Sequence, residues 1–344
     1  MTDVNNLNWI NNLRVFATFS VIIIHVTSSI LSAYGSIPIF NWWVGNIYDG
    51  SARFCVPIFL MLTGALILPK TYEIYDFLKR RLSRILMPFL FWSIMYIILN
   101  VIIKLANGEN MSLIELSKYI LVNLRDGSSF HFWYIYMLIG LYLFIPIISK
   151  WIKFSSRKEI LYFLIIWWIT ILINLPKIDQ IKPDIDLSYF SGFIGYPILG
   201  YYLSTKNKNI KDRGMAILLI IIGTSITIFG TYVGTTHKGA YYDGFYGYLS
   251  PNVIITSIGI FLLFRHLEFK NNKLNSAIAF VGRYSYGIYL CHIFVMVCLS
   301  TIGINSSLLS PIFSIPLTSV LCLIISLLIT YTINKIPYGH FVSG

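Results

Sequence analysis

Charge is scarce in this chain. Asp, Glu, Lys and Arg make up 12% of its 344 residues, about half the share in soluble domains. Hydrophobic residues make up 56%, and the mean hydropathy is +0.72. A soluble domain of this length cannot bury so much apolar surface, and a disordered chain would not carry it. Cysteine is scarce too. Cys55, Cys291, Cys298 and Cys322 all lie in apolar runs, and no CxxC spacing occurs, so neither a disulfide framework nor a cysteine metal site is expected. The short alternating segments of a transmembrane barrel are missing. No basic residue precedes Leu13, and no small-residue cleavage site follows the first apolar run. That run is therefore expected to stay as a span rather than leave as a signal peptide. There is no phosphate-binding P-loop and no GxSxG elbow, and no nucleic-acid partner is implied.

What is present is a series of long apolar runs, such as 215–222 and 320–329. They predict an all-α, polytopic integral membrane protein of about ten helices of some 20 residues each. The spans fall near 13–33, 52–69, 85–104, 131–149, 159–175, 189–204, 214–233, 250–265, 280–300 and 311–333. The whole chain, 1–344, reads as one membrane domain with no fused soluble domain. Net charge is +12, from 26 Lys and Arg against 14 Asp and Glu. Most of the basic residues fall in 70–84, 150–158, 205–213, 265–273 and near 335, which predicts both termini in the cytoplasm. Arg53, Lys104, Lys118, Arg125, Lys177, Lys182 and Lys238 fall on the other side. The stretch 34–51 has room for a short re-entrant piece. Asp49, Asp76 and Asp126 read as loop residues. No carboxylate is then expected inside the membrane, which argues against a proton-coupled pump. An outer loop, 232–251, carries Tyr232, Tyr241, Tyr242, Phe245, Tyr246 and Tyr248. Such rings suit an interfacial belt or a stacking surface for sugars.

Polar groups inside a membrane are costly, so they are the candidates for chemistry. Arg14 and His25 are eleven residues apart on the first span. At about 100° per residue they share a helix face, separated by about 16 Å. Arg14 then sits at the cytoplasmic edge, suited to an anionic group. His25 sits near mid-depth, where a neutral imidazole can take a proton from a hydroxyl. Arg81 and Arg84 are spaced i, i+3 at the start of the third span, a pairing suited to phosphate. The competing reading is an ordinary positive-inside anchor. Ser285, Tyr289 and His292 fall on one stripe of the ninth span, with His292 near the depth of His25. His131 and Trp133 lie near the outer end of the fourth. Metal ligands at a recognisable spacing are absent.

These segments together resemble acyltransferase family 3, the polytopic membrane acyltransferases of bacteria. The look is closest to the enterobacterial common antigen O-acetyltransferase branch. The resemblance covers nearly the whole chain. It rests on Trp9–Arg14 with His25, on Ser51–Arg53 leading to Val56–Phe59 and Thr63–Gly64, and on Arg81 with Arg84. It rests also on His131–Trp133 with Tyr142 and Pro146, and on Ser285–Tyr289 with His292. Asn11 stands where many members have Asp, and Thr63 where Ser is usual.

The resemblance implies O-acyl transfer, usually of acetyl, from acetyl-CoA or another acyl-CoA. The acceptor would be a hydroxyl of a cell-surface glycan or lipid-linked saccharide. His25 and Arg14 would be catalytic, and Arg81 and Arg84 would bind the CoA phosphates. Arg53, His131, Trp133, Ser285, Tyr289 and His292 are the candidates for acceptor binding or oxyanion stabilisation. The expected place is the bacterial inner or plasma membrane, in the lipid bilayer, with glycan-assembly proteins as possible neighbours. The rival readings are a transporter or flippase for a lipid-linked glycan and a non-catalytic scaffold. A scaffold would tolerate loss of His25 and of the Arg pair, and a flippase would tolerate loss of His25 if it needs no proton shuttle.

Overall fold

The computed structural model describes residues 4–175, 186–267, 269 and 271–344, with side chains from residue 8 onward. Among them there is no β-strand. The helices are α1 (Val4–Ser32), α2 (Ile39–Ala52), α3 (Cys55–Ile67), α4 (Ile74–Ala106), α5 (Leu113–Asp126), α6 (Trp133–Phe154) and α7 (Arg157–Ile173). They continue as α8 (Gly195–Ser204), α9 (Lys211–Lys238), α10 (Pro251–Arg265), α11 (Asn272–Arg283), α12 (Ser285–Thr301), α13 (Pro311–Lys335) and α14 (His340–Ser343). Each of the predicted spans falls on a helix. Among the described residues, 6 helical stretches are long and apolar enough to cross a membrane, or up to 7 if α11 and α12, bent by 68°, form one span. The predicted spans on α7, α8 and α10 coincide with helices of only 17, 10 and 15 residues.

The polarity of α9 shows the environment. Beyond its first turn, which buries Asp212, its buried face is Ala216, Gly223, Thr227, Thr231 and Thr235. Its exposed face includes Ile217 at 50%, Leu218 at 50% and Ile221 at 58%. A water-soluble helix has the opposite pattern; lipid-facing helices pack through small residues and keep large apolar side chains outside. Close approach recurs between α3 and α8. A Cβ on Gly64 would lie 1.8 Å from the Pro197 carbonyl oxygen, and one on Gly200 would lie 2.0 Å from that of Met61. Neither position can take any larger residue without separating the helices.

Two stretches left out of the predicted spans are helical. Residues 39–52 form α2, which runs with α3 as a single apolar stretch broken near Arg53. The predicted span at 52–69 therefore begins earlier, at Ile39. Residues 113–126 form α5, started by a capping box in which Ser112 and Glu115 satisfy each other's backbone N–H groups.

The basic loops gather at one end. Arg157 donates to the Tyr202 carbonyl, Arg265 to those of Ser204 and Lys206, and Arg213 to that of His266. Tyr286 donates to the Ile85 carbonyl, next to Arg84. The start of α1 lies at this end, with Trp9 edge-on to Phe261 of α10. At the opposite end, Ser29 of α1 bonds Ser306, which follows α12, at 3.0 Å. Lys177, Lys182 and Lys270, which entered the charge count, lie outside the described residues.

Candidate active site

Three helical segments bring three histidines together. His25 is on α1, His292 on α12, and His131 on a single 3-10 turn, Phe130–Phe132, just before α6. The ring centroids are 5.2 Å apart for His25 and His292, 5.0 Å for His131 and His292, and 6.3 Å for His25 and His131. His131 is 2% exposed and His292 0%, while His25 is half-buried. Sequence spacing placed His25 and His292 at a common depth. It placed His131 only near the outer interface. Among the described residues, no three His, Cys, Asp or Glu are placed to hold a metal ion.

The cluster is held from behind. His292 Nδ1 lies 2.6 Å from the Tyr289 carbonyl oxygen. A carbonyl only accepts, so Nδ1 carries the proton and Nε2 of the neutral ring holds a lone pair. That Nε2 is buried without a hydrogen-bond partner. Tyr289 donates its hydroxyl to the His131 carbonyl, and Ser129 shares a 2.9 Å hydrogen bond with His131 Nδ1. Tyr96 on α4 donates to the Leu290 carbonyl and accepts from the Phe294 N–H, at 2.9 and 3.0 Å. This clips α4 to α12 around the imidazole. Sequence reading passed over Tyr96, an ordinary aromatic in an apolar helix.

Asp49 needs correcting: it was read as a loop residue, with no carboxylate expected inside the membrane, while Arg53 stood at the outer end of the predicted span 52–69. Asp49 is fully buried on α2, and Arg53 sits at the α2–α3 break with 18% of its side chain exposed. They form an ion pair. Asp49 also accepts a 2.7 Å hydrogen bond from Thr27 of α1, two residues past His25. The Arg53 guanidinium lies 4.2 Å over the Tyr246 ring, and Tyr246 donates to Asn46 at 2.5 Å. Arg53 is close enough to His25 for its charge to be felt there. A buried carboxylate is thus present, but as one half of a pair.

The other candidates are spread out. Arg14 is half-buried near the basic end of α1, apart from the histidines because α1 is unbroken between them. Arg81 is half-buried against the Tyr72 hydroxyl and near Tyr142; Arg84 is exposed. Between Arg81 and the cluster lie tyrosines. Tyr286 is close enough to Tyr134 and Tyr142 to interact with both. Tyr134 meets Tyr289 at 5.5 Å, Tyr286 stacks on Tyr289 at 6.5 Å, and Tyr289 meets His292 at 5.9 Å. Ser285 donates to the Gly282 carbonyl at the α11–α12 bend. Trp133 stacks on Tyr248 at 5.5 Å and contacts Phe193. Neither meets a histidine ring. The outer tyrosines mostly pack on one another and on α2 and α9: Tyr246 is 2% exposed, and Tyr232 lies 4.5 Å from Trp43.

Space lies on both sides of the cluster. A cavity of about 260 Å³ is bordered by His25, Phe130, Ser28, Ser300, Asn305 and Thr318, among others, toward the Ser29–Ser306 end. A void of about 10 Å³, one water's worth, is bordered by Thr18, Phe59, Tyr289 and His292 toward the basic end. His25 therefore faces the large cavity and His292 the small one. The arrangement can accept a proton at a ring nitrogen, with the Arg53 cation nearby to offset negative charge.

A family model described as an acyltransferase domain matches residues 7–332. In Bacillus subtilis (strain 168), the protein named "Putative membrane-bound acyltransferase YfiQ" is 22% identical over 345 residues, covering 96% of this chain and 92% of that protein. No solved structure matches the chain.

Proposed function

The chain belongs to acyltransferase family 3, and from that premise we propose how this membrane acyltransferase works. It moves an acyl group, acetyl by preference, from acyl-CoA to a hydroxyl of a cell-surface glycan or lipid-linked saccharide. The basic end faces the cytoplasm of a bacterial cell and receives the donor. Arg81 and Arg84 hold the CoA phosphates, paired guanidiniums being suited to them. Arg14 meets remaining negative charge at the same face. The pantetheine arm passes along the tyrosines toward the void beside His292.

His25 is the general base. The acceptor hydroxyl gives its proton to His25 as its oxygen attacks the thioester carbonyl carbon. The tetrahedral oxyanion forms beside the Arg53 cation. Collapse breaks the C–S bond, the acyl ester leaves with the acceptor, and the imidazolium returns the proton to the CoA thiolate. His292 offers its unpartnered Nε2 lone pair to the His25 imidazolium. The observation that carries this reading is the pair of histidine rings set between a wide cavity and a narrow void.

The test uses membrane vesicles with labelled acetyl-CoA, and follows label into CoA-free glycan or lipid product. The wild type transfers label and His25→Ala at matched levels does not. Full transfer by His25→Ala removes the general-base role. Absence of transfer by the wild type with every acyl-CoA tried, while glycan export still depends on the protein, favours the transport reading. In the same assay, Arg81→Ala with Arg84→Ala raises KM for acetyl-CoA by about tenfold, the value of one charge-assisted contact of about 1.4 kcal/mol, and leaves kcat nearly unchanged. An unchanged KM removes the phosphate clamp.

A further inference from the structure

We propose that the 260 Å³ cavity beside His25 is the acceptor site, and that it takes one neutral sugar residue presented from the face opposite the basic loops. This rests on the acyl-transfer reading above and adds the class of acceptor and its side of approach. Three observations lead there.

The first is charge. No Lys, Arg, Asp or Glu borders this cavity or the 150 Å³ cavity that adjoins it at Ser29. A phosphate or a sugar acid entering either would lose hydration with no charged side chain at the wall to pair with, the Arg53 cation near His25 being already paired with Asp49. The same absence keeps CoA out of this side, so donor and acceptor approach from opposite faces.

The second is hydrogen-bonding character. Ser28 donates to the His25 carbonyl at 2.8 Å, and Thr318 to the Asn305 carbonyl at 3.2 Å. Both hydroxyls have spent their proton and keep lone pairs for an incoming donor. Asn305 Oδ1 is taken by the Ser307 N–H at 2.9 Å, which leaves its amide protons as donors. A mixed set of acceptors and donors without charge matches a polyhydroxyl ligand.

The third is the ring at the mouth. Phe130 is 67% exposed and its centroid lies 5.1 Å from that of His25. An exposed aromatic beside the base gives the apolar face of a sugar ring a platform and leaves the rim hydroxyls toward His25. At about 260 Å³ the cavity falls just below the usual 300–1,000 Å³ of small-molecule sites. It holds one ring, with the rest of a saccharide outside or along the adjoining cavity toward Asn41 and Ser307.

The test uses the full chain in intact cells. Ser29→Cys is placed in a Cys298→Ser background, because Cys298 is the exposed native thiol. A membrane-impermeant maleimide labels this variant from outside the cell. Neutral methyl glycosides (gluco, galacto, manno and N-acetylglucosamine) include at least one that slows labelling several-fold, while glucuronate and glucose phosphate do not. Labelling only after permeabilisation overturns the side of approach. No protection, or equal protection by the acids, overturns the neutral-sugar site. Vesicle transfer separates this from the parent reading. Ser29→Trp, which fills the space where the cavities join, loses at least tenfold in transfer. Ser32→Trp, one turn further along α1 and outside both cavities, keeps the wild-type rate. Full transfer by Ser29→Trp overturns the acceptor site and leaves acyl transfer standing. An inactive wild type overturns the parent reading, and glycoside protection at Ser29→Cys then still supports a sugar site.

Discussion

Two polar clusters are buried within a few residues of each other along α1, and they are built on opposite terms. Around Thr27, the Asp49 carboxylate is fully used: it pairs with Arg53 and accepts from Thr27. Arg53 in turn lies over Tyr246, which bonds Asn46. Around His25, the His292 Nε2 is buried and used by nothing. An unpaired buried polar atom costs about 1–3 kcal/mol, so evolution has little reason to keep one for stability. The contrast separates the roles. The satisfied cluster fixes the α2–α3 break and aims Arg53, and the unsatisfied one is free for proton chemistry.

The largest effects should break the two clusters in different currencies of measurement. His25→Ala lowers acyl transfer by about 10²–10⁴-fold, the usual worth of a general base, and leaves thermal unfolding in detergent within a few degrees of wild type. A melting point that falls as far as the activity would make His25 a structural residue. Asp49→Asn does the reverse. It strands the Arg53 cation in a buried place, which costs about 3–5 kcal/mol, so detergent unfolding shifts strongly and the folded fraction drops. If melting is unchanged and transfer per folded molecule is lost, Asp49 belongs to the chemistry and the division fails.

His292→Phe sharpens the comparison further. It removes the orphaned Nε2 and keeps the shape of a flat ring. Stability changes by less than about 1 kcal/mol, because the Tyr289 carbonyl also lies within a helix that can satisfy it. Transfer falls by about tenfold, as the His25 imidazolium loses an acceptor worth about 1.4 kcal/mol. Thermal unfolding and initial rates on one preparation measure both. Large destabilisation with normal rates per folded molecule would place His292 with the structural cluster instead.

Much of this was legible from pattern. The apolar runs located the helices because lipid tolerates little else, and the common depth of His25 and His292 followed from helix rise alone. The failures have physical causes. Residues 39–52 hold Asn41, Gly45, Asn46, Asp49, Gly50 and Ser51, polar and small residues that interrupt the apolar run. The i, i+4 spacing of Asp49 and Arg53 was the available signal, since such a pair on one helix face lowers the cost of burying both. Ser112 and Glu115 likewise spelled a capping box ahead of α5. His131 was different. Its neighbours come from α1, α4 and α12, and no local pattern announces a meeting of three distant segments. The same holds for Trp133 and Ser285, whose motif membership said nothing of which way they face.

The smallest predicted effect tests whether the satisfied cluster is as purely structural as it looks. Tyr246→Phe keeps the ring under the Arg53 guanidinium and removes only the hydroxyl that bonds Asn46. The cation–π contact survives, so Arg53 stays aimed. The Asn46 oxygen loses one donor, while its amide still bonds the Ile228 carbonyl at 3.0 Å. The expected cost is about 1 kcal/mol of stability, read as a shift of a few degrees in detergent unfolding, with transfer within twofold of wild type. Tyr246→Leu removes the ring as well, and Arg53 is then held by Asp49 and the Tyr248 hydroxyl. If transfer falls severalfold in the leucine variant but not in the phenylalanine variant, the aim of Arg53 is what the cluster supplies. If both variants transfer normally, Asp49 and Tyr248 set that aim without the Tyr246 ring.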